Sequence, residues 1–425
     1  MLNLFQKFMN NYKIGIIGTG YVGLPLAISF SKYFEVIGFD KDKKRVLSLS
    51  KGKDKNLQFQ KADLKSKRLN FTSKLIDLKK CNIYIITLPT PLKKNNLPDL
   101  KIVNDATLEL SRILKKNDIV IYESTVYPGA TEQEFCKILE KNSKLTLNKD
   151  FYLGYSPERI NPGDKKNTIQ NITKVVSASN KNTLNVLKES YGKIIKAGIK
   201  TASSIQVAEL SKVLENTQRF VNIALINEIS QRCNKLNLQT KEVVDVASTK
   251  WNFAKYYPGL VGGHCIAVDP LYLSYKSKYF KLDPDIINTS HKINNNVQKI
   301  VVENIISKIN IKSNKILILG LTFKENCPDT RNSGVYRVIK LLNKKGIIPE
   351  VHDPYVKKIN NDNEGKFKLI KKLTKKNYLV VVIAVSHKNY ITMGIRKIKQ
   401  LSSNKNCKYF DLKSIFNRSD VDFQL

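Results

Sequence analysis

A glycine-rich segment near the start of the chain constrains its fold more strongly than any other feature. Gly18, Gly20 and Gly23 satisfy the pattern Gly-x-Gly-x-x-Gly. They come directly after the apolar run from Lys13 to Ile17 and begin a helical pattern. The first glycine permits a tight turn, the second admits a pyrophosphate, and the third lets the helix pack closely on the strand. This order predicts a strand, a turn and a helix of a parallel α/β domain, with phosphate bound at the helix N-terminus.

An acidic residue further along indicates which dinucleotide binds. Asp40 ends the next predicted strand, about twenty residues after the glycine segment. A carboxylate at this place accepts hydrogen bonds from ribose hydroxyls and repels a 2′-phosphate, so the sequence favours NAD over NADP. Arg45 is close enough in sequence to leave NADP as an alternative. Tyr21 and Val22, inside the glycine segment, are further predicted cofactor contacts. A glycine-rich structural turn with no cofactor is the remaining alternative.

Two further strand ends carry hydroxyl groups. Thr87 and Thr90 follow one predicted strand in Thr-Leu-Pro-Thr-Pro, and Thr125 follows another in Glu-Ser-Thr-Val. Ligands bind beyond the carboxyl ends of parallel strands, so these threonines are predicted to line the cofactor crevice. Each turn taken singly is equally consistent with a helix cap or an ordinary loop.

Hydrophobic patterns along the rest of the chain predict two α/β units. In the first, the predicted strands are 13–17, 35–40, 83–87, 119–123 and 151–155, with a helix at 21–33. In the second, they are 316–320, 348–352, 379–385 and 409–411, with a helix at 334–345. The polar stretch from Gly52 to Asp77 is predicted to be a helix with loops, and Lys357 to Lys376 a loop and a surface helix.

One long helix is predicted between the two units. Ser203 to Lys235 has near-helical apolar spacing without a proline or glycine, which is typical of a helix that joins domains and forms a subunit interface. The predicted fold class is therefore α/β, with two Rossmann-like, doubly wound parallel-sheet domains joined by a central helical segment.

The composition sets outer limits on function. A chain of 425 residues is expected to form roughly two or three domains. The formal charge of +37 would suit a nucleic-acid partner, but the lysines are spread among asparagines along the whole chain. A general bias of the sequence towards lysine and asparagine explains this charge better than a binding function does. Nucleic-acid or membrane-surface binding is the alternative. Neither a long apolar run nor a signal peptide is recognisable, so we expect a cytoplasmic protein without membrane insertion.

Cys265 differs from the other cysteines in its neighbours. The six, which include no Cys-x-x-Cys pair, are Cys81, Cys136, Cys233, Cys265, Cys327 and Cys407. Together with the small number of histidines, their spacing argues against a zinc site and a disulfide framework, so no metal is expected. Cys265 follows Gly262, Gly263 and His264 and precedes Asp269 by four residues. A thiolate there could attack a carbonyl and hold a thioester, while the carboxylate manages protons or orients water. We expect His264 to be a packing neighbour, and the other five cysteines to be small buried residues.

Two other segments carry candidate site residues. Lys212 and Asn216 are four residues apart in the predicted long helix and share a face. They lie either on a solvated side of the helix or in a site, where a cation and an amide would stabilise an oxyanion. Glu158 and Arg159 lie in a proline- and charge-rich loop after a predicted strand. That loop either shapes a substrate site or is a plain crossover connection.

Seven ordered motifs between Lys13 and about Phe416 resemble those of the nucleotide-sugar dehydrogenases of the UDP-glucose/GDP-mannose dehydrogenase family. They are the glycine segment, Thr-Leu-Pro-Thr-Pro, Glu-Ser-Thr-Val, Ser-Pro-Glu-Arg, Ala-Glu-Leu-Ser-Lys, Gly-Gly-His-Cys and Leu-Gly-Leu-Thr-Phe-Lys. The resemblance implies an NAD-dependent oxidation of a sugar CH2OH to a carboxylate. It implies an NAD-binding domain at 13–200, a central dimerisation and catalytic domain at 201–308, and a UDP-sugar-binding domain at 309–425. Residues 1–12, which lack the features of a signal peptide, are expected to form a short extension before the first strand.

The resemblance also implies roles for individual residues. Those implied to act in catalysis are Cys265 as nucleophile, Lys212 and Asn216 as oxyanion partners, Asp269 as support for water and protons, and Thr125 and Glu158 at water-positioning and acid–base positions. Those implied to contact the substrate are Glu158, Arg159, Lys212, Asn216, Tyr256, Tyr257, Gly259, Gly262 and Lys324. Arg331 matches a residue that reaches towards the active site or cofactor.

The residues near the nucleophile indicate a branch of the family. Two segments resemble the corresponding segments of the enzymes that oxidise UDP-N-acetylhexosamines: Cys-Ile-Ala-Val-Asp and Ser-Pro-Glu-Arg-Ile-Asn-Pro-Gly-Asp. Val268 and Pro162 replace a lysine and a glutamate of the UDP-glucose branch, so the roles of those two positions do not carry over.

The expectation is therefore a homodimer that oxidises UDP-N-acetylglucosamine or UDP-N-acetylgalactosamine to the uronate, through a Cys265 thiohemiacetal and thioester, for surface polysaccharide. UDP-N-acetylmannosamine and UDP-glucose are alternative substrates. A two-electron hydroxyacid dehydrogenase and a non-catalytic binding protein are more distant alternatives.

Overall fold

Two compact units make up the part of the chain that the computed structural model describes, which is residues 12–55, 59–160, 168–263, 265–309, 315–358 and 365–425. The first unit comprises the described residues up to Glu215 together with Leu271–Phe280. The second comprises those of Asn216–Pro270 and Lys281–Leu425. Each unit contains one β-sheet, so the predicted α/β class with two sheets is confirmed.

The first unit is built on an eight-stranded sheet. Its strands are β1 (Lys13–Ile17), β2 (Glu35–Phe39), β3 (Leu69–Thr72), β4 (Ile83–Ile86), β5 (Ile119–Tyr122), β6 (Tyr152–Tyr155), β7 (Lys174–Ala178) and β8 (Ile199–Thr201). They lie in the order β3-β2-β1-β4-β5-β6-β7-β8. β1 to β6 are parallel in the order of a dinucleotide-binding domain, whereas β7 is antiparallel to β6. The strand order reverses between β1 and β4, and a ligand crevice is expected there, at the carboxyl ends of the strands.

Apolar side chains bury both faces of the central strands in this sheet. Every residue of β4 and β5 is buried, as expected for parallel strands covered by helices. The helices are α1 (Gly23–Phe30), α2 (Lys43–Ser50), α3 (Lys101–Ser111), α4 (Cys136–Ser143) and α5 (Lys181–Ile194). Phe30 of α1 packs edge-on against Tyr191 of α5, with their ring centroids 5.3 Å apart.

Four helices follow the first sheet along the chain. They are α6 (Ile205–Lys235), α7 (Thr240–Ala247), α8 (Asp269–Tyr279) and α9 (Asp285–Ser307). The predicted long helix is confirmed as α6, which has 31 residues. Within the second unit, the buried Asn227 of α6 donates to Asn294 Oδ1 of α9 at 2.9 Å and to the Gly259 carbonyl at 3.2 Å. None of the helices in the described residues is long and apolar enough to span a membrane.

The second unit contains a six-stranded parallel sheet. Its strands are β9 (Ile316–Leu319), β10 (Glu350–His352), β11 (Lys368–Ile370), β12 (Val380–Ile383), β13 (Lys408–Asp411) and β14 (Phe423–Gln424). Their order, β11-β10-β9-β12-β13-β14, has the same reversal as the first sheet, here between β9 and β12. Helices α10 (Gly334–Asn343) and α11 (Lys388–Lys399) complete this unit.

The structure differs from two predictions about polar segments. The described part of Gly52–Asp77 contains β3 and no α-helix, and Lys357–Lys376, of which 359–364 lie outside the described residues, contains β11 rather than a surface helix. Both are edge strands of only four and three residues. Their extended form is stabilised by pairing with β2 and β10, which a local pattern does not reveal. The short strands β7, β8 and β14 were likewise not predicted.

Candidate active site

The glycine segment has the geometry of a phosphate-binding turn. Gly18 has a φ of +97°, which favours glycine. A Cβ at Gly23 would lie 1.9 Å from the Gly18 carbonyl oxygen, so only glycine allows α1 to approach the turn. A Cβ at Gly20 would meet nothing within 4 Å. The backbone at Gly20 therefore faces open space, as the second glycine of a dinucleotide site must.

The N-terminus of α1 is suited to an anion. The residue before the helix, Val22, provides no side-chain cap, and the first turn carries no acidic residue. The backbone N–H groups at the start of a helix and the helix dipole favour phosphate. These residues fit the pyrophosphate of NAD.

Asp40 and Arg45 have different surroundings although they are close in sequence. Asp40 Oδ2 accepts hydrogen bonds from the Thr19 N–H at 3.0 Å and from the Thr19 hydroxyl at 2.9 Å. Arg45 donates to the Thr19 carbonyl at 2.9 Å and to Asp54 Oδ1 at 2.7 Å. The Arg45 side chain is 9% exposed. Its charge is thus matched by buried Asp54, which weakens the NADP alternative.

Hydrogen bonds join the turns that follow β1, β4 and β5. The Thr87 hydroxyl donates to the Gly18 carbonyl at 2.8 Å, and the Thr90 hydroxyl donates to the Thr125 carbonyl at 2.7 Å. Tyr272, which the sequence did not single out, donates to the Thr90 carbonyl at 3.0 Å. The three predicted threonines therefore do meet at one edge of the sheet.

Glu158 belongs to a buried charge cluster in the first unit. Lys174 Nζ lies 3.2 Å from Glu158 Oε2 and 2.7 Å from Glu123 Oε2. The Tyr191 hydroxyl donates to the other oxygen of Glu123. Burial raises the pKa of Glu123 to about 7. Sequence reasoning missed Lys174 because only the fold brings it beside residues 16 and 51 positions away.

Glu209 fixes the start of α6 in the first unit. Its carboxylate accepts the N–H groups of Gly129 at 2.5 Å and Thr131 at 3.0 Å. Burial raises the pKa of Glu209 to about 7. Lys212, one turn further along, is 7% exposed and Asn216 is 8% exposed. The alternative that these two residues lie on a solvated helix side is wrong.

Asn216, Cys265 and Asp269 come together in the second unit. Asn216 Nδ2 donates to Asp269 Oδ2 at 2.6 Å, and the Asp269 N–H donates to the Cys265 carbonyl at 2.9 Å. Cys265 thus occupies the turn that leads into α8. Gly263 has a φ of +85°, and a Cβ there would lie 2.8 Å from the Phe323 ring. His264 lies outside the described residues.

The six cysteines divide as the sequence predicts. Cys265 is exposed and the other five are buried. Burial raises the pKa of the Cys81 and Cys136 thiols to about 12, so these two are poor nucleophiles at neutral pH. In the part of the chain that the structure describes, no group of three His, Cys, Asp or Glu residues could hold a metal ion.

The second unit contains a cleft at the carboxyl ends of β9 and β12. It is lined by Leu260, Thr322, Lys324, Gly334, Val385 and Lys413, among others. The predicted substrate contact Lys324 therefore borders a cavity. Lys413, which sequence reasoning missed, follows β13, and burial lowers its pKa. Its position two residues after a predicted strand end is the feature of the sequence that could have marked Lys413 as a candidate.

The remaining predicted site residues are placed as follows. Arg331 is exposed, and its guanidinium binds both oxygens of Asp329. The Tyr257 hydroxyl donates to Asp245, Tyr256 is half-buried, and the Gly259 N–H donates to Asn227 at 2.8 Å. Arg159 pairs with Glu215 at 2.8 Å. Gly262 has no room for a Cβ, which would lie 2.6 Å from the Asn332 carbonyl oxygen. Their contacts with cofactor or substrate stay predictions.

Comparisons with known proteins agree along nearly the whole chain. Models of the UDP-glucose/GDP-mannose dehydrogenase family match as NAD binding domain at residues 12–195, central domain at 206–296 and UDP binding domain at 317–418. A UDP-N-acetyl-D-glucosamine 6-dehydrogenase of Salmonella typhi is 44% identical over 98% of this chain and 99% of its own. One of Pseudomonas aeruginosa is 42% identical over 98% and 100%. The solved UDP-D-ManNAc dehydrogenase of Pyrococcus horikoshii has a TM-score of 0.86 at 26% identity, covering 97% of this chain and 98% of that one.

Proposed function

Because the chain belongs to the UDP-glucose/GDP-mannose dehydrogenase family, we propose that it oxidises C6 of a UDP-N-acetylhexosamine from alcohol to carboxylate. It is an NAD-dependent nucleotide sugar dehydrogenase. The identity of 44% and 42% to two UDP-N-acetyl-D-glucosamine 6-dehydrogenases, over 98% of the chain, is the observation that carries the choice of sugar. UDP-N-acetylglucosamine or UDP-N-acetylgalactosamine is the proposed substrate, with UDP-N-acetylmannosamine and UDP-glucose as the alternatives.

The overall reaction consumes one sugar, one water and two NAD, each NAD accepting one hydride. In the first oxidation, a water accepts the proton of the C6 hydroxyl, and Thr125 and Asp269 are the residues proposed to position water and manage protons. Cys265 Sγ then adds to the aldehyde carbon and forms a thiohemiacetal, which keeps the aldehyde from escaping. The second oxidation leaves a thioester, and water cleaves its C–S bond to give the carboxylate and free Cys265.

Electrostatics support these assignments. The Lys212 ammonium and the Asn216 amide are donors for the oxyanion that forms when sulfur attacks carbon. Asn216 donates to Asp269 at 2.6 Å and so holds that carboxylate in one orientation.

Three further aspects belong to the proposal. The product, an acidic sugar donor, suits the synthesis of surface polysaccharide. A homodimer is supported by exposed leucines on α6, and a cytoplasmic location by the nucleotide substrate. Neither a two-electron hydroxyacid dehydrogenase nor a non-catalytic binding protein accounts for matches to all three domains of the family, so the proposal excludes both alternatives.

Assays of NADH formation with four UDP-sugars test the proposal. We expect UDP-N-acetylglucosamine or UDP-N-acetylgalactosamine to exceed UDP-glucose in kcat/KM by at least about a hundredfold, because a site built around an N-acetyl amide leaves polar groups unsatisfied when glucose binds. Two NADH should form for each sugar consumed. UDP-glucose as the best substrate would overturn the assignment, and one NADH per sugar would overturn the thioester route.

A further inference from the structure

We propose that Lys174 is a positioning residue for this reaction, which holds Glu158 and Glu123 together and so fixes the turns after β5 and β6. This inference rests on the proposed function, because Thr125 and Glu158 lie in those two turns. Lys174 itself is not expected to touch substrate or cofactor.

The topology explains why a lysine far along the chain reaches this edge of the sheet. β7 is antiparallel to β6, with Gly154 opposite Ala178 and Tyr155 opposite Ser177. The first residue of β7, Lys174, therefore lies at the edge where β5 and β6 have their carboxyl ends. Strands β1 to β6, in contrast, are all parallel to one another, so each brings only its carboxyl end to this edge.

Both oxygens of Glu158 have partners within its own unit. Oε1 accepts the backbone N–H groups of Arg159 and Ile160, each at 2.6 Å. Oε2 lies 3.2 Å from Lys174 Nζ, which also donates to the Pro157 carbonyl at 3.3 Å. The lysine therefore binds the loop through both its backbone and its carboxylate.

The same ammonium links this loop to the strand end before Thr125. Lys174 Nζ lies 2.7 Å from Glu123 Oε2, and the side chains of Lys174 and Glu123 are 4% and 0% exposed. Glu123 comes two residues before Thr125. One buried cation thus spans the two turns that carry the predicted water-holding and acid–base residues.

The cluster contains more acid than base. Four titratable groups face one another: Lys174, Glu123, Glu158 and the Tyr191 phenol; the nearby Arg159 guanidinium is directed at Glu215. Burial alone would lower the pKa of Lys174, but the two carboxylates outweigh it and raise that pKa. Without the ammonium, two buried carboxylates would face each other, and one would take up a proton.

Comparison of Lys174→Met with Lys174→Arg tests the proposal. We expect Lys174→Met to lower kcat by about a hundredfold, as a misplaced reacting group does, with less than about a threefold change in KM for the sugar. The acidic limb of its kcat–pH profile should move to higher pH, because a carboxylate without its cation is harder to ionise. Lys174→Arg keeps the charge and should recover most of the activity.

A matched control comes from the second unit. Lys376 Nζ contacts both oxygens of Glu350 at 2.7 Å, and Tyr378 donates to the same carboxylate at 2.6 Å. This lysine–glutamate–tyrosine group lies at the amino end of β10, the edge opposite to the cleft. Lys376→Met should therefore leave kcat and the pH profile unchanged.

A second variant distinguishes an effect of Lys174 on folding from an effect on the positioning of the active-site turns. Lys174→Met/Glu123→Gln removes one charge of each sign, so it should unfold near the wild-type temperature and bind NAD normally while kcat stays low. Full activity in Lys174→Met, or loss of NAD binding in both variants, would overturn the proposal. All assays use the UDP-sugar that the wild type oxidises fastest, so a wrong choice of sugar shows in the wild type and leaves the comparison of variants intact.

Discussion

Cys265 shows how far a sequence alone distinguishes a candidate nucleophile from other cysteines. Its flanking glycines and Asp269 distinguish it from five other cysteines, and the structure places it alone on the surface while those five are buried. Lys174 shows the opposite case. Nothing near it in sequence marks it, because its partners are distant residues that an antiparallel strand brings beside it.

The thioester route predicts the behaviour of Cys265 variants. Cys265→Ala should form no carboxylate above about a thousandth of the wild-type rate, because no sulfur is left to trap the aldehyde. NAD and UDP-sugar should still bind, since the exposed thiol contributes little packing. Product analysis with isothermal titration checks both points. Near-normal carboxylate production by the alanine variant would contradict the route.

Asp40 should determine the choice between NAD and NADP. We expect NAD to be preferred by at least about tenfold in kcat/KM, or roughly 1.4 kcal/mol, because a carboxylate repels the 2′-phosphate. Asp40→Asn removes the charge but keeps an oxygen for the Thr19 N–H, so it should narrow the preference without unfolding the turn. Parallel assays with both cofactors measure the ratio. Equal use of the two by the wild type would show that a cation other than the Asp54-paired Arg45 overrides Asp40.

At the scale of elements, long apolar patterns were predicted better than short edge strands. β1, β4 and α6 follow from their own residues, since burial and an unbroken helical period determine them. β3 and β11 are held by pairing on one side only, so their sequence carries little of the cause. The candidate site has the same division. The sequence identified the turns that directly follow predicted strands, but it did not identify side chains that pair across different strands, such as Lys174 with Glu123.

The strand–turn–helix element at the glycine segment predicts opposite effects for two similar substitutions. Gly20→Ala should leave stability within about 0.5 kcal/mol of the wild type and weaken NAD binding at least about tenfold, because its methyl group would occupy open space that the pyrophosphate needs. Gly23→Ala should cost about 3 kcal/mol, because its Cβ would lie 1.9 Å from the Gly18 oxygen. Urea unfolding and NAD titration measure the two effects. Identical behaviour of the two variants would refute this account of the turn.

The anchoring of α6 by Glu209 predicts a pH dependence. Burial raises the pKa of Glu209 from 4.5 to about 7, so the folded state favours the protonated acid. Its contribution to stability is complete below pH 4.5 and is lost as the pH rises through 7, by on the order of 3 kcal/mol. Glu209→Gln cannot ionise and should flatten this part of the profile. Urea unfolding between pH 5 and 8 measures it, with Glu189→Gln, at an exposed position of α5, as the control. Parallel profiles for wild type and Glu209→Gln would contradict the assignment.

At the scale of the whole molecule, α6 carries an apolar face that the single chain leaves open to solvent. Leu210, Leu214 and Leu225 are 43%, 56% and 53% exposed. They recur at helical spacing on one side of the helix, whereas the proposed site residues Lys212 and Asn216 are buried. Exposed leucines grouped in this way are typical of a surface that a second subunit covers. The predicted homodimer therefore has a definite candidate interface.

A charge placed on this face should separate the subunits. Leu225→Glu introduces a carboxylate into each copy of the interface, and burying it costs far more than the leucine contributed, so we expect the mass in solution to fall from that of a dimer to that of a monomer. Leu225 lies nine residues beyond Asn216, which keeps the substitution away from the proposed oxyanion partners. Leu47→Glu, on the exposed side of α2, replaces a leucine that is 56% exposed and should leave the dimer intact. Light scattering across a range of protein concentrations distinguishes the two variants. A wild type that is monomeric at high concentration, or a Leu225→Glu variant that remains dimeric, would show that α6 is not the interface.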